Sequence, residues 1–137
     1  MNKFLLDTKV ISELRKPRPH GGVAAWLKAQ RNEQLLVSAV TVGEIQAGIE
    51  LTRQQDSSKA KEIEEWLDRI EDSYQIVPMD VACFREWGRL RIRKPASLLE
   101  DGLIAATARV HNLIVATRNE RDFRQLDVPI VNPFKFV

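Results

Sequence analysis

Short apolar runs alternate along the chain with longer stretches in which apolar residues recur every three or four positions. Phe4-Leu5-Leu6, Leu35-Leu36-Val37, Gln75-Ile76-Val77, Leu113-Ile114-Val115 and Pro129-Ile130-Val131 are short enough to read as strands buried on both faces. The helical patterns run roughly from Gly22 to Ala29, Ala39 to Leu51, Ser58 to Ile70, Val81 to Arg93 and Leu98 to His111. Strands interleaved with helices predict an α/β sandwich around a mostly parallel sheet of roughly five strands. The pattern from Ser58 to Ile70 stacks Ile63, Trp66, Leu67 and Ile70 on one stripe, with Lys59, Glu62, Glu65 and Arg69 outside. With the turn from Gln54 to Ser57 it forms a hairpin-like insertion before the third strand. The proline-bearing stretches Arg15 to His20 and Lys94 to Ser97 read as loops.

Composition narrows the class without naming a chemistry. The 137 residues suit one domain spanning 1–137, and 44% hydrophobic with 29% charged residues is an ordinary soluble balance. No apolar stretch approaches a membrane span and none resembles a signal-peptide core, so a cytoplasmic protein without membrane contact is expected. Cys83 is the single cysteine, which excludes an intrachain disulfide and a multi-cysteine zinc site. Beside Val81, Ala82 and Phe84 it reads as buried packing. The net charge of +2 hides a pattern: residues 1–43 carry seven basic and three acidic side chains, residues 44–80 four and ten, and residues 81–137 ten and six. The ends are basic and the middle is acidic.

Four acids fall at informative places. Asp7 follows the first strand, at the carboxyl edge where ligands settle in open parallel sheets, although it also suits the cap of a helix starting near Val10. Glu44 lies opposite the stripe of Val42, Ile45 and Ile49, in a mostly apolar setting of Val40, Ala47, Gly48 and Leu51. Thr41 to Glu44 has capping-box spacing if the helix starts that late; a start near Ser38 frees the carboxylate. Ser97 to Glu100 has the same spacing, which assigns Glu100 to the helix start and leaves Asp101 without a cap role. The expected core stripe of that helix is Leu99, Leu103, Ala106 and Val110. Asp101 then lies on the other side with Ile104, Ala105 and Ala108, whose small alanines leave room for an ion or phosphate. Asp122 follows the turn Thr117-Arg118-Asn119, where Asn119 is a candidate helix cap and Asp122 its third residue.

All four acids sit at strand ends or helix starts, where a parallel sheet brings them together. Carboxylates about 4 Å apart repel by roughly 4 kcal/mol per pair at an effective dielectric of about 20, so such a cluster needs protons or cations. With no His or Cys nearby, oxygen ligands favour Mg²⁺ or Mn²⁺ and disfavour zinc.

The stretches Phe4-Leu-Leu-Asp-Thr-Lys-Val-Ile-Ser-Glu, Val37-Ser-Ala-Val-Thr-Val-Gly-Glu-Ile, Glu100-Asp-Gly-Leu-Ile-Ala-Ala-Thr-Ala and Ala116-Thr-Arg-Asn-Glu-Arg-Asp-Phe resemble PIN-domain proteins, specifically VapC-type toxins. The resemblance runs from Phe4 to Asn132-Pro133-Phe134 and implies a PIN-like α/β/α sandwich. It also implies an endoribonuclease acting on structured RNA such as tRNA or rRNA, partnered by a small VapB-like antitoxin and forming a homodimer. Carried onto this chain, it makes Asp7, Glu44, Asp101 and Asp122 the metal-binding acids, with Thr8 and Asn119 as polar helpers. Phosphodiester cleavage by that family uses bound metal to activate water and to offset charge on the leaving oxygen. Where the family commonly has asparagine two residues after the first aspartate, this chain has Lys9, which points to solvent, contacts substrate phosphate or pairs with Asp7.

An acidic cluster repels RNA, so the cleft needs cations around it. Lys9, Arg15, Lys16, Arg89, Arg91, Arg93, Arg118 and Arg121 are the candidates. Arg89 to Arg93 equally suits a helix C-terminus. Trp26, Trp66 and Trp87 read as core or interface packing, and His20 and His111 as loop or surface residues. Two other readings use the same acids: a PIN-like binding or regulatory protein with little turnover, and a housekeeping RNA or DNA nuclease.

Overall fold

The computed structural model describes residues 1–137. Five strands, β1 (Phe4–Leu6), β2 (Leu35–Ser38), β3 (Gln75–Val77), β4 (Ile114–Ala116) and β5 (Ile130–Val131), form one sheet in the order β3-β2-β1-β4-β5. Every pairing is parallel. Seven helices connect them: α1 (Thr8–Ser12), α2 (Gly21–Ala29), α3 (Ala39–Arg53), α4 (Ser57–Ser73), α5 (Val81–Leu90), α6 (Leu99–His111) and α7 (Glu120–Arg124). Parallel strands need crossovers, and the helices supply them while covering both faces. The result is the α/β sandwich that the alternation predicts, in the α/β/α form that the resemblance implies.

Two cores flank the sheet because successive side chains of a strand point to opposite faces. Phe4 and Leu6 of β1 enter one core with Val10, Val37, Ile49, Trp66 and Leu67, while Leu5 enters the other with Leu36, Ile104, Ala105, Val115 and Phe123. The register sets Leu5 beside Leu36 on one side and Val115 on the other, so the second core begins as one row across three strands. The α3–α4 hairpin closes the first core through Ile49, Ala60, Trp66, Leu67 and Ile70, matching the predicted stripe of the second helix.

Two local readings need correction. The fifth helix stops at Leu90 rather than Arg93. Pro95 disfavours helical backbone at Lys94, and the chain turns first through Arg93, whose φ is +64°. In α6 the buried face is Ile104, Ala105, Ala106, Thr107 and Ala108, whereas Leu99 and Val110 are exposed. The helix lies between the sheet and α5, so small residues allow it to pack closely on both sides. That packing favours alanine over the large residues of the expected stripe.

The strand order matters most for the site. From β1 the chain runs outward to β2 and β3, then returns to β4 on the other side of β1. The carboxyl ends of β1 and β4 therefore flank a topological switch point, where open α/β sheets leave a crevice. Asp7 and Thr117 are the residues that immediately follow those strands. The Asp7 N–H donates to the Ala116 carbonyl at 2.9 Å, extending the ladder to the edge of the crevice.

Candidate active site

Asp7 is a helix cap, of a helix that starts at Thr8 rather than near Val10, and it is also buried at the carboxyl edge of the sheet. As N-cap of α1 it has φ −69° and ψ 158°, and Oδ1 accepts from the Thr8 N–H at 2.8 Å. Oδ2 accepts from the Thr117 hydroxyl at 2.8 Å. Both oxygens are thus aimed by neighbours, and the side chain is fixed at the crevice with 8% exposure. Burial raises its carboxyl above the usual range, against the Thr117 and Thr8 bonds and a weaker pull from Lys9.

Ser38 decides the state of Glu44. It caps α3, its Oγ accepting from the Val40 N–H at 3.0 Å, so the helix starts at Ala39. Thr41 to Glu44 therefore lies inside the helix and forms no capping box. Glu44 instead faces the crevice, 3.5 Å from the Thr8 hydroxyl. The apolar setting expected for it is not what surrounds it: the cleft it lines contains no hydrophobic residue. Its carboxyl is pushed up to about 7, first by burial and then by Glu100, Asp7 and Asp101.

Asp101 comes from the first turn of α6 and is pushed up to about 6, chiefly by burial and then by Asp7, Asp122 and Glu100. Asn119 heads α7 but makes no cap bond with its side chain. Its amide donates to Asp101 at 3.2 Å and to Asp122 at 2.7 Å, bridging the two acids. Asp122 stands behind this bridge and is absent from the cleft lining. The capping box expected for Ser97 and Glu100 is also absent. A 3-10 turn over Ala96–Leu98 leads into α6, and Leu98 stands at the cap without a side-chain bond. Glu100 is consequently an exposed acid whose field reaches both Glu44 and Asp101.

The resulting cleft, about 450 Å³, is lined by Asp7, Thr8, Lys9, Glu44, Asp101, Arg118 and Asn119. Its acids supply oxygen donors only, and mutual repulsion and burial hold Glu44 and Asp101 far above their ordinary values of 4.5 and 3.8. A hard divalent cation satisfies this donor set and removes the repulsion, so the residues fit a metal. Two contributors escaped sequence reasoning. Thr117 was visible as the first polar residue after β4, but its pairing with Asp7 depends on β1 and β4 being neighbours. Glu100 was assigned to a cap that does not form.

The cations divide into two groups. Lys9, which is exposed, and Arg118 line the cleft, and Arg118 also stacks over Phe134 at 4.8 Å. Arg15 lines an adjoining groove that shares Thr8. Lys16 is engaged with Glu13 at 2.5 Å, and Arg121 is exposed on α7. The cluster after α5 lies outside the cleft: Arg89 pairs with Glu86 at 2.9 Å, Arg91 sits over the Trp87 ring at 4.8 Å, and Arg93 occupies the turn. Trp26 and Trp66 are buried as expected, while Trp87 is half-buried with its indole N–H lacking an acceptor. His20 is an exposed loop residue whose Nδ1 caps α2, and His111 is exposed at the end of α6.

Comparison with known proteins adds four findings. A family model described as "PIN domain" matches residues 4–129. Toxin FitB of Neisseria gonorrhoeae is 36% identical to this chain, covering 96% of it and 98% of that protein. VapC ribonuclease Y4jK of Sinorhizobium fredii is 34% identical, with coverage of 96% and 98%. Among solved structures, FitAcB from Neisseria gonorrhoeae superposes with a TM-score of 0.85 at 34% identity, covering 97% of this chain and 99% of that one. No helix of this chain is long and apolar enough to cross a membrane.

Proposed function

The chain belongs to the PIN-domain family, and on that premise we propose that it is the toxin of a VapBC-like pair, an Mg²⁺- or Mn²⁺-dependent endoribonuclease held in check by a small antitoxin. The observation that carries this reading is the cleft at the switch point. Buried and half-buried carboxylates from three separate elements crowd together there with no apolar lining. Such an arrangement is costly for folding unless protons or a cation offset the repulsion.

Asp7, Glu44 and Asp101 are the residues that would hold the metal, with Asp122 supporting from behind Asn119. Bound metal would supply an activated water and offset charge on the leaving oxygen. Thr117 and the Thr8 N–H fix both oxygens of Asp7, so the carboxylate need not reorganise when an ion arrives. The Asn119 amide donates to both Asp101 and Asp122, and its N–H groups offset part of the repulsion between them. Lys9 and Arg118 stand at the cleft to meet a phosphate that the acids alone would repel. Because Glu44 and Asp101 hold protons up to about 7 and about 6, protons compete with metal, and activity rises with pH through that range.

The test is incubation of purified protein with total tRNA and rRNA in EDTA, Mg²⁺ or Mn²⁺, beside Asp7→Asn. Discrete cuts that need the metal and vanish in the variant are expected. Equal cutting by wild type and Asp7→Asn overturns the assignment.

A further inference from the structure

At the end of α6 opposite Asp101, three side chains unrelated to the cleft bring a carboxylate oxygen, a thiol sulfur and an imidazole nitrogen within 4.8 Å of one another. They are Asp80, Cys83 and His111. The placement follows from local rules. Asp80 caps α5, with Oδ1 accepting from the Cys83 N–H at 3.0 Å, which leaves Oδ2 available. One turn into α5, Cys83 is buried, and its sulfur touches the Pro78 carbonyl at 4.0 Å and lies within hydrogen-bonding reach of the Asp80 carboxyl and the Thr107 hydroxyl. His111 is the last residue of α6, and the left-handed Asn112 (φ 56°) then turns the chain toward β4.

We propose that Asp80, Cys83 and His111 form a second metal site, for a borderline divalent cation of the zinc type, which clips the start of α5 to the end of α6. A mixed oxygen, sulfur and nitrogen set suits Zn²⁺, whose ligands lie at about 2.0–2.3 Å in a tetrahedron, with water completing the fourth position. Ligand atoms then stand roughly 3.3–3.8 Å apart. The trio contracts by about 1 Å to reach that spacing. Asp80 and His111 are both exposed; His111 can swing inward, while Asp80 keeps its cap bond and the buried Cys83 stays in place. The cap survives, because Asp80 keeps one oxygen on the Cys83 N–H and ligates with the other. The thiol proton leaves to solvent as the thiolate binds.

The two sites select opposite ions. The cleft offers oxygens alone and suits hard Mg²⁺ or Mn²⁺; this trio includes sulfur and nitrogen and suits zinc. A clip here steadies the α5–α6 pair, and α6 carries Asp101 at its other end. The inference is independent of the ribonuclease reading.

The experiment uses the full chain carrying Asp7→Asn, which weakens the cleft as a competing site, stripped of metal and titrated with Co²⁺ as a spectroscopic stand-in for zinc. A thiolate-to-cobalt charge-transfer band that saturates at one equivalent, and is displaced by Zn²⁺, is expected. Cys83→Ser abolishes the band, and His111→Asn, at an exposed position, weakens Zn²⁺ binding at least about tenfold. Zn²⁺ also raises the melting midpoint of the Asp7→Asn protein, and at the same concentration raises that of Asp7→Asn with His111→Asn by less. Absence of the charge-transfer band in excess Co²⁺, or Zn²⁺ affinity unchanged by His111→Asn, overturns the proposal.

Discussion

Helix α3 carries acids into two different environments. Toward its end, Glu50 lies 3.0 Å from Arg53, which also reaches Glu64 of α4 at 3.0 Å, and Gln46 donates to both acids. Glu50 is held below the usual carboxylate range chiefly by Arg53, and Glu64 chiefly by Gln46. Near its start, Glu44 has no such partner and is pushed up to about 7 by burial and by three other acids. The hairpin belongs to the segment richest in acidic residues, yet Glu50 and Glu64 there already share a cation, Arg53. Burial of acids without an ion-pair partner, rather than density of acids, marks the place where a metal would bind.

Three substitutions test that contrast from its strong end. Asp7→Asn and Asp101→Asn should each lower RNA cleavage by at least about 100-fold, since even outer-shell partners of a metal cost 10- to 100-fold. Asp7→Asn keeps the helix cap, because asparagine caps as well as aspartate. Glu64→Gln on the hairpin should leave cleavage unchanged in the same assay. Equal losses at Asp101 and Glu64 would break the distinction between the two acid groups.

Thr117→Val is expected to act next. It leaves Oδ2 of Asp7 buried without its donor, so metal affinity should fall by about 10- to 100-fold. Stability should fall by about 1–3 kcal/mol, the cost of a buried acceptor left unpaired. Chemical denaturation and metal titration by calorimetry measure the two effects separately. Retention of wild-type metal affinity would show that Asp7 does not need its neighbour across the switch point.

Acidity gives a third test, with a definite sign. Folded Glu44 and Asp101 bind protons more tightly than in the unfolded chain, where their values are 4.5 and 3.8. Their stabilising contribution is present below those values and is lost as pH rises through about 6 and about 7. The metal-free protein should therefore lose thermal stability across that window, and Mg²⁺ should offset the loss. Glu44→Gln should flatten the profile and stabilise the metal-free protein above pH 7. Solvent screening at this half-buried carboxylate holds the gain to about 1 kcal/mol.

Much of the fold was legible because its signals are local. Each predicted strand and helix lies within a few residues of an observed one, and the apolar triplet at residues 4–6 matches β1 without adjustment. The candidate site was legible in part for the same reason: Asp7 follows a strand, Asp101 sits in the first turn of a helix, and Glu44 lies one turn further into its own helix, opposite the stripe of Val42, Ile45 and Ile49. Strand order, by contrast, depends on long-range pairing. That is why Thr117, whose role follows from the β1–β4 pairing, stayed hidden. The core face of α6 was misassigned because a helix packed on two sides has no single apolar stripe. Glu100 was misassigned because a 3-10 turn moved the helix start past Ser97.

The smallest expected effect is the most specific to the contrast. Arg53→Gln removes the cation shared by Glu50 and Glu64, so both carboxyls should titrate closer to their usual range, as carbon-detected NMR would report. Because the three side chains are solvent-exposed, the melting midpoint should drop only slightly at low ionic strength. The difference should disappear near 1 M salt, where screening acts over about 3 Å. Cleavage should not change, and neither should the titration of Glu44, two helical turns away on α3. A shift at Glu44 would mean that the hairpin and the cleft share one electrostatic network. In that case the acidic segment would contribute to the site after all, and Arg53 would set how readily the cleft takes a cation.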